Sequence, residues 1–318
     1  MTRATDIVLT AIAPAVWGTT YIVTTEALPP DLPLTLAALR ALPAGLILLA
    51  LTRSLPGKDW IGRTFLLGAL NFSIFWTLLF VAAYRLPGGV AATLGAMQPL
   101  MVIGLAFGLL GTPIRSAAVG AALTGLAGVG LLVLGPEAQL DGIGVLAGIG
   151  GAASMAAGVV LSRKWQPDVP PLAFAGWQLT AGGLILLPVA LIAEPSLPPL
   201  TLPNLAGLIW LGPFGAAFTY WLWFRGIARL EPGSVSMLGT LSPVTAVVIG
   251  WLWLGETLST LQALGAIIVL ASVMAGQRIQ RPAQAARPVS DARPSVERPG
   301  ATGTVSMPSQ KPVNSAAT

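Results

Sequence analysis

Long apolar stretches follow one another along the chain from Ile7 to about Arg278, separated by short clusters of proline, glycine and charge. Each stretch approaches the ~20 mostly apolar residues that a helix needs to cross a bilayer. The pattern predicts ten helices, near residues 7–26, 34–52, 64–84, 89–110, 116–134, 142–162, 171–193, 204–224, 233–254 and 260–278. Breakers lie between them, among them Pro29-Pro30 with Pro33, Pro56-Gly57, Pro87-Gly88-Gly89, Gly135-Pro136 and Pro232-Gly233. The connections are short, as antiparallel neighbours require. The expected fold class is therefore an all-α integral membrane protein. From about residue 280 the apolar pattern stops, and Arg-Pro recurs at Arg281, Arg287, Arg293 and Arg298. Residues 280–318 read as a disordered cytoplasmic tail.

Composition excludes the alternatives. Of 318 residues, 54% are hydrophobic and only 9% charged, against about 25% charged in a soluble domain. A soluble globular protein is ruled out, and so is a disordered chain, which needs low hydrophobicity and high charge. The chain has no Cys and no His. That removes disulfides, thiolate nucleophiles, histidine bases and the usual metal ligands. No metal or cofactor is expected. No Gly-Lys-Ser/Thr phosphate loop is present, so ATP does not drive the chain directly. The net charge of +5 is scattered through loops and tail, which is no nucleic-acid footprint.

The charges instead orient the helices. With the N-terminus inside, Arg3, Arg53, Lys58, Arg63, Arg115, Arg163, Lys164, Arg225 and Arg229 fall on the inner side with the tail arginines. Only Arg85 falls outside, beside Glu26, Asp31, Glu137, Asp141, Glu194 and Glu256. Positive charge stays on the cytoplasmic side, so both ends are expected there.

The chain also repeats itself. Shifted by 144, Arg85, Leu86, Gly89, Leu94, Gly95, Pro99, Leu110 and Gly111 meet identical residues at Arg229, Leu230, Gly233, Leu238, Gly239, Pro243, Leu254 and Gly255. Shifted by 138, the run Gly45 to Leu49 meets Gly183 to Leu187, and Pro29 and Pro33 meet Pro167 and Pro171. Matched leucines arise easily between apolar helices; matched prolines, glycines and loop arginines do not. The expected halves are residues 1–135 and 136–279, five spans each. An odd number of spans makes the two repeats insert in opposite directions, the architecture of many secondary transporters.

Several segments resemble the drug/metabolite transporter superfamily. They are Ala15-Val16-Trp17-Gly18, Leu39-Arg40-Ala41, Ala217 to Arg225, Leu241-Ser242-Pro243-Val244 and Leu254-Gly255-Glu256-Thr257. The resemblance is to its EamA branch and covers about residues 7–278. The segments Ala69 to Ser73 and Tyr84 to Thr93 are similar to a blue-pigment (indigoidine) exporter-like subgroup. The resemblance implies a bacterial inner-membrane exporter of a metabolite, often amino-acid-like, with a central cavity between two bundles. It implies a transporter and not an enzyme.

Candidate site residues are the polar and aromatic exceptions within the spans. Arg40 is the one charge placed well inside the predicted helices. A buried arginine costs at least about 2.5–3.5 kcal/mol on insertion scales, so it must face protein, water or an interface. It suits capture of a carboxylate on the cargo; a structural bond to helix carbonyls or Glu26 is the plainer role. Its repeat mate is Gln178. Further mates are Trp17 with Met155, Trp76 with Tyr220, and Gln98 with Ser242. Aromatic walls with a few polar groups suit a planar or amphipathic metabolite. The substrate-binding set is therefore Trp17, Tyr21, Arg40, Asn71, Trp76, Gln98, Gln178, Tyr220 and Ser242. Asn71 and Gln98 serve equally well as interhelical bonds.

Pro99 and Pro243 are mates expected to kink helices four and nine, as hinges. Gly104 with Gly108, and Gly144 with Gly148, have the spacing of close helix packing. The expected partners are a small-molecule substrate and the bilayer, with oligomeric state undetermined. Proton coupling stays open, with Glu26 and Glu256 near helix ends as the acids to carry it. The reading is a secondary-active exporter working by alternating access. A small multidrug-type carrier is the alternative within transport; a membrane scaffold or a lipid-modifying enzyme lies outside it.

Overall fold

A computed structural model describes residues 2–86, 88–133, 141–253, 255 and 259–279. The expected tail, Glu137 and Glu256 lie outside the described residues, as does the side chain of Tyr21. All regular elements among the described residues are helical. The first span is α1 (Arg3–Gly18) and α2 (Thr20–Ala27), the second α3 (Pro33–Thr52). The third joins α4 (Lys58–Gly68), a π-helical stretch Ala69–Ser73 and α5 (Ile74–Arg85). The fourth is α6 (Gly88–Gly95) and α7 (Gln98–Leu110), the fifth α8 (Ser116–Val133). The second half follows with α9 (Gly142–Lys164), α10 (Pro171–Ala193) and then α11 (Leu202–Ile209), a π-helical stretch Trp210–Phe218 and α12 (Thr219–Arg229). It ends with α13 (Pro232–Leu238), α14 (Leu241–Trp253) and α15 (Thr260–Ile279).

Nine spans among the described residues are long and apolar enough to cross a membrane, and Ser116–Leu132 is a tenth, shorter apolar helix. Their outer surface carries leucine and isoleucine, with Ile192 87% and Leu202 82% exposed. Water would not tolerate so continuous an apolar surface, whereas lipid does. The third and eighth spans start and end beyond the predicted limits, because Lys58, Asp59 and Arg229 continue the helices into polar surroundings.

The backbone reproduces the repeat. Gly111 and Gly255, mates at a shift of 144, both adopt left-handed φ, 67° and 68°. Glycine reaches that region without a Cβ clash, and at Gly111 it ends α7. The π-helical stretch at Ala69–Ser73 maps at the same shift into the one at Trp210–Phe218. Pro213 lies within the second and lacks an N–H, which removes an ordinary helical bond there. The fourth and ninth spans are each interrupted, between Gly95 and Gln98 and between Leu238 and Leu241. Pro99 and Pro243 therefore stand in the first turn of a new helix, where proline is tolerated, and not at a mid-helix kink.

Two helix pairs lie on the axis that relates the halves. Along α3 and α10, a Cβ on Gly45 would collide with Thr180, and one on Gly183 with Leu42. Leu42 with Gly45 and Thr180 with Gly183 are the same positions at a shift of 138. Along α8 and α15, Gly125 abuts Ser272 while Gly128 abuts Val269, mates at 144. Each contact thus equals its own image with the halves exchanged. Gly144 and Gly148 pack closely, against Leu86 and Leu94. Gly104 and Gly108 do not: among the described residues nothing approaches the space a Cβ would take there.

Candidate functional site

Four of the predicted residues come together from four spans. The guanidinium of Arg40, on α3, lies 5.1 Å from the centre of the Trp76 ring. Tyr220 is 6.4 Å from Trp76 and 4.8 Å from Trp17, centre to centre. Trp76 and Tyr220 are almost wholly buried. Phe72 fills the gap between them, 5.3 Å from Trp76 and 4.6 Å from Tyr220. Trp223 and Phe224 continue the cluster, at 5.0 Å from Trp17 and 6.1 Å from Tyr220. Edge-to-face and tilted rings at these separations attract through their quadrupoles, and a guanidinium over an indole face gains from the same field.

The π-helical stretch supplies the polar anchor. Here the Thr219 N–H reaches back to Phe214 O and Ala216 O. The Gly215 carbonyl is thereby left to other donors. It accepts from Arg40 Nη2 at 2.8 Å and from the Thr219 hydroxyl at 2.8 Å. The same hydroxyl oxygen accepts from the Trp17 indole N–H at 2.9 Å. Arg40, Thr219 and Trp17 are thus coupled through one carbonyl and one hydroxyl, joining spans two, eight and one. The buried Nε of Arg40 has no hydrogen-bond partner among the described residues. Among the described residues no carboxylate lies within ion-pair distance of this guanidinium. Glu26, on α2, is exposed and forms no ion pair with Arg40 among the described residues.

Asn71 and Gln178 form a separate group. Asn71 Nδ2 donates to Gln178 Oε1 at 2.7 Å and to Ser162 Oγ at 3.3 Å. All three side chains are buried. Gly158 lies directly against the Asn71 amide, where any Cβ would collide with it. This trio ties the first half to spans six and seven. Gln98 and Ser242 begin α7 and α14, half-buried, and no described bond links them to Arg40. A depression between α6, α8 and α15 is lined by Thr93, Leu126, Ala127, Gly130, Leu131 and Leu261 and contains none of the predicted residues.

Sequence reasoning missed Phe72, Thr219, Asp6 and Arg225. Phe72, Thr219 and Arg225 lay inside segments already notable for their motifs, but nothing in an apolar helix marks the inward face. Asp6 and Arg225 stand near the ends of α1 and α12, outside the predicted spans; both are buried, and they pair at 2.6 Å.

The architecture and this cluster define a multi-pass membrane carrier, built on a duplicated five-helix unit with a half-buried cation in an aromatic centre. The chain belongs to the EamA-like transporter family, whose pattern matches residues 5–134 and again 142–275. It is a transporter and not an enzyme. It is 45% identical over 269 residues to Protein PecM of Dickeya dadantii (strain 3937), covering 84% of this chain and 90% of that protein. It is 30% identical over 270 residues to the uncharacterized inner membrane transporter YedA of Escherichia coli (strain K12), covering 81% of this chain and 86% of YedA. A solved crystal structure of a protein shares the fold with a TM-score of 0.74 at 22% identity, over 88% of this chain and 99% of that one.

Proposed function

We propose that the protein is a secondary-active exporter of small metabolites, amino-acid-like or pigment-like, working by alternating access across the bacterial inner membrane. Residues 1–135 and 136–279 are its two halves, and both chain ends are cytoplasmic. Arg40 binds a carboxylate of the cargo, and Trp17, Tyr21, Trp76 and Tyr220 hold its planar part. Gln98 and Ser242 line the path at symmetric positions. Asn71 and Gln178 set the floor of the site, and Pro99 and Pro243 let the fourth and ninth spans swing at their breaks.

The observation that carries this reading is Arg40. A guanidinium away from water normally pairs with a carboxylate. Here one backbone carbonyl and an indole face attend it, and its Nε has no partner among the described residues. A carboxylate supplied by the cargo completes the fork. The test loads proteoliposomes with N-acetyl-tryptophan or its neutral amide, N-acetyl-tryptophanamide. Protein with native Arg40 should release the carboxylate about tenfold faster, the worth of one good charge-assisted bond. Arg40→Gln at equal incorporation should remove the preference. Equal release of the two by the unsubstituted protein rules the reading out.

A further inference from the structure

The two halves are tied by charge at both ends of the bundle, and the two ties correspond: their arginines are repeat mates and their acids stand at neighbouring positions of the repeat. At one end Arg85, the last residue of α5, lies 3.6 Å from Asp141, the N-cap of α9. At the other, Arg229, the last residue of α12, lies 3.5 Å from Asp6 in the first turn of α1. Arg85 and Arg229 are repeat mates, and each acid opens the first span of the opposite half. Both ties therefore join the third span of one half to the first span of the other. The four tied residues stand on spans other than the axial pairs α3–α10 and α8–α15, although spans three and eight also pack against α3 and α10 along their middles. A rocking motion about that axis keeps the axial pairs in contact and must part the tied spans at one end at a time.

The ties are unequal. Arg85 and Asp141 are both about half exposed, at 46% and 41% of their side-chain surface, and an exposed pair is screened by water. Asp6 is held twice: besides Arg229 it accepts from Arg225 at 2.6 Å, with both side chains of that pair about 10% exposed. The mate of Arg225 is Val81, so the second arginine exists at one end alone. Asp6 is the one buried carboxylate among the described residues. Removing a partner from such a pair leaves an uncompensated buried charge. At the same end Arg3 donates to the Gln277 carbonyl at 2.8 Å, from α1 to α15.

We infer that Asp6 with Arg225 and Arg229, and Asp141 with Arg85, are the two latches of the transport cycle, and that the stronger one makes closure at the Asp6 end the resting state. The inference rests on the alternating-access reading above. The chain contains no cysteine, so single thiols report access cleanly. Ala13→Cys, on α1 behind Asp6, and Ala82→Cys, on α5 behind Arg85, are both fully buried positions. Their labelling by a membrane-impermeant maleimide is measured with reagent on each side of proteoliposomes. Asp6→Asn should speed labelling of the Ala13→Cys thiol about tenfold and slow that of the Ala82→Cys thiol. The reversed pair Asp6→Arg with Arg225→Asp should restore the original rates. Arg229→Gln, at a half-exposed position that tolerates change, should give a smaller shift in the same direction, and Arg85→Gln a small shift in the opposite one. Unchanged rates in folded, monodisperse Asp6→Asn and Arg229→Gln proteins overturn the latch. A rise at Ala13→Cys with no fall at Ala82→Cys also overturns it, since a mere structural tie would loosen one end alone. Failure of alternating access itself looks different: both thiols then label rapidly from their own sides in the unsubstituted background.

Discussion

Arg40 and Gln178 occupy the same place in the two halves, and their surroundings have nothing in common. Both stand on the axial helices, α3 and α10, two turns from the start of each. Around Arg40 are an indole face, a tyrosine and a carbonyl freed by a π-helical stretch. Around Gln178 are Asn71 and Ser162, in a pocket closed to everything else. The backbone nearby is symmetric even in its close contacts, with Gly45 on Thr180 and Gly183 on Leu42. Duplication preserved the scaffold, where any added atom would force the helices apart. It left the side chains between the helices free to diverge, because a polar group there needs a partner but not a particular one. One half has a cation with no carboxylate beside it among the described residues; the other has a neutral amide pair closed in on itself.

Forcing the second site to resemble the first should have the largest effect. Gln178→Arg places a charge among Asn71, Ser162 and packed carbon, with no acid nearby. The expected cost is about 3–5 kcal/mol, read as loss of monodisperse protein in detergent and a steep fall in thermal midpoint. Next comes the scaffold. Gly45→Ala or Gly183→Ala should destabilise by about 1–3 kcal/mol through overpacking. The same substitution at Gly104, with open space beside it, should be neutral or stabilising by up to about 1 kcal/mol. Thermal unfolding of the three variants side by side checks this, and equal behaviour would refute the symmetric contact. The smallest change sharpens the Arg40 side. Thr219→Val removes the hydroxyl between Gly215 and the Trp17 indole and should cost about 1 kcal/mol. It should also lower the carboxylate preference a few-fold, while Thr219→Ser keeps it. Loss of the preference in both variants would assign Thr219 to packing alone.

Much of the architecture was legible in advance. The ten stretches fall within a few residues of the observed spans, because each helix must satisfy its own backbone in lipid and so must be long and apolar. The duplication was legible at prolines and glycines, where backbone geometry restricts the residue. The site was legible in part. Trp17, Arg40, Trp76 and Tyr220 are rare types in apolar surroundings, and rarity marks them. Thr219 and Phe72 are common types, and Ser162 is too; only their neighbours distinguish them. Gly104 and Gly144 show the limit most plainly. Both begin a small-xxx-small pair, and only Gly144 meets a neighbouring helix.

The sequence by itself determined that the chain lives in a bilayer, that it crosses as ten helices, and that five of them repeat the other five in reverse. Those properties depend on length, hydropathy and backbone-restricted residues, all of which are written along one dimension. Tertiary structure decided which face of each helix turns inward. It set Arg40 over an indole face and under a backbone carbonyl, gave Asp6 two arginines, and closed Gln178 in with Asn71. A helix in lipid is apolar all round, since the tails are as apolar as the core. Its rotation about its own axis therefore leaves no period in the sequence, and it is set by the close contacts of glycines and the few polar bonds between spans.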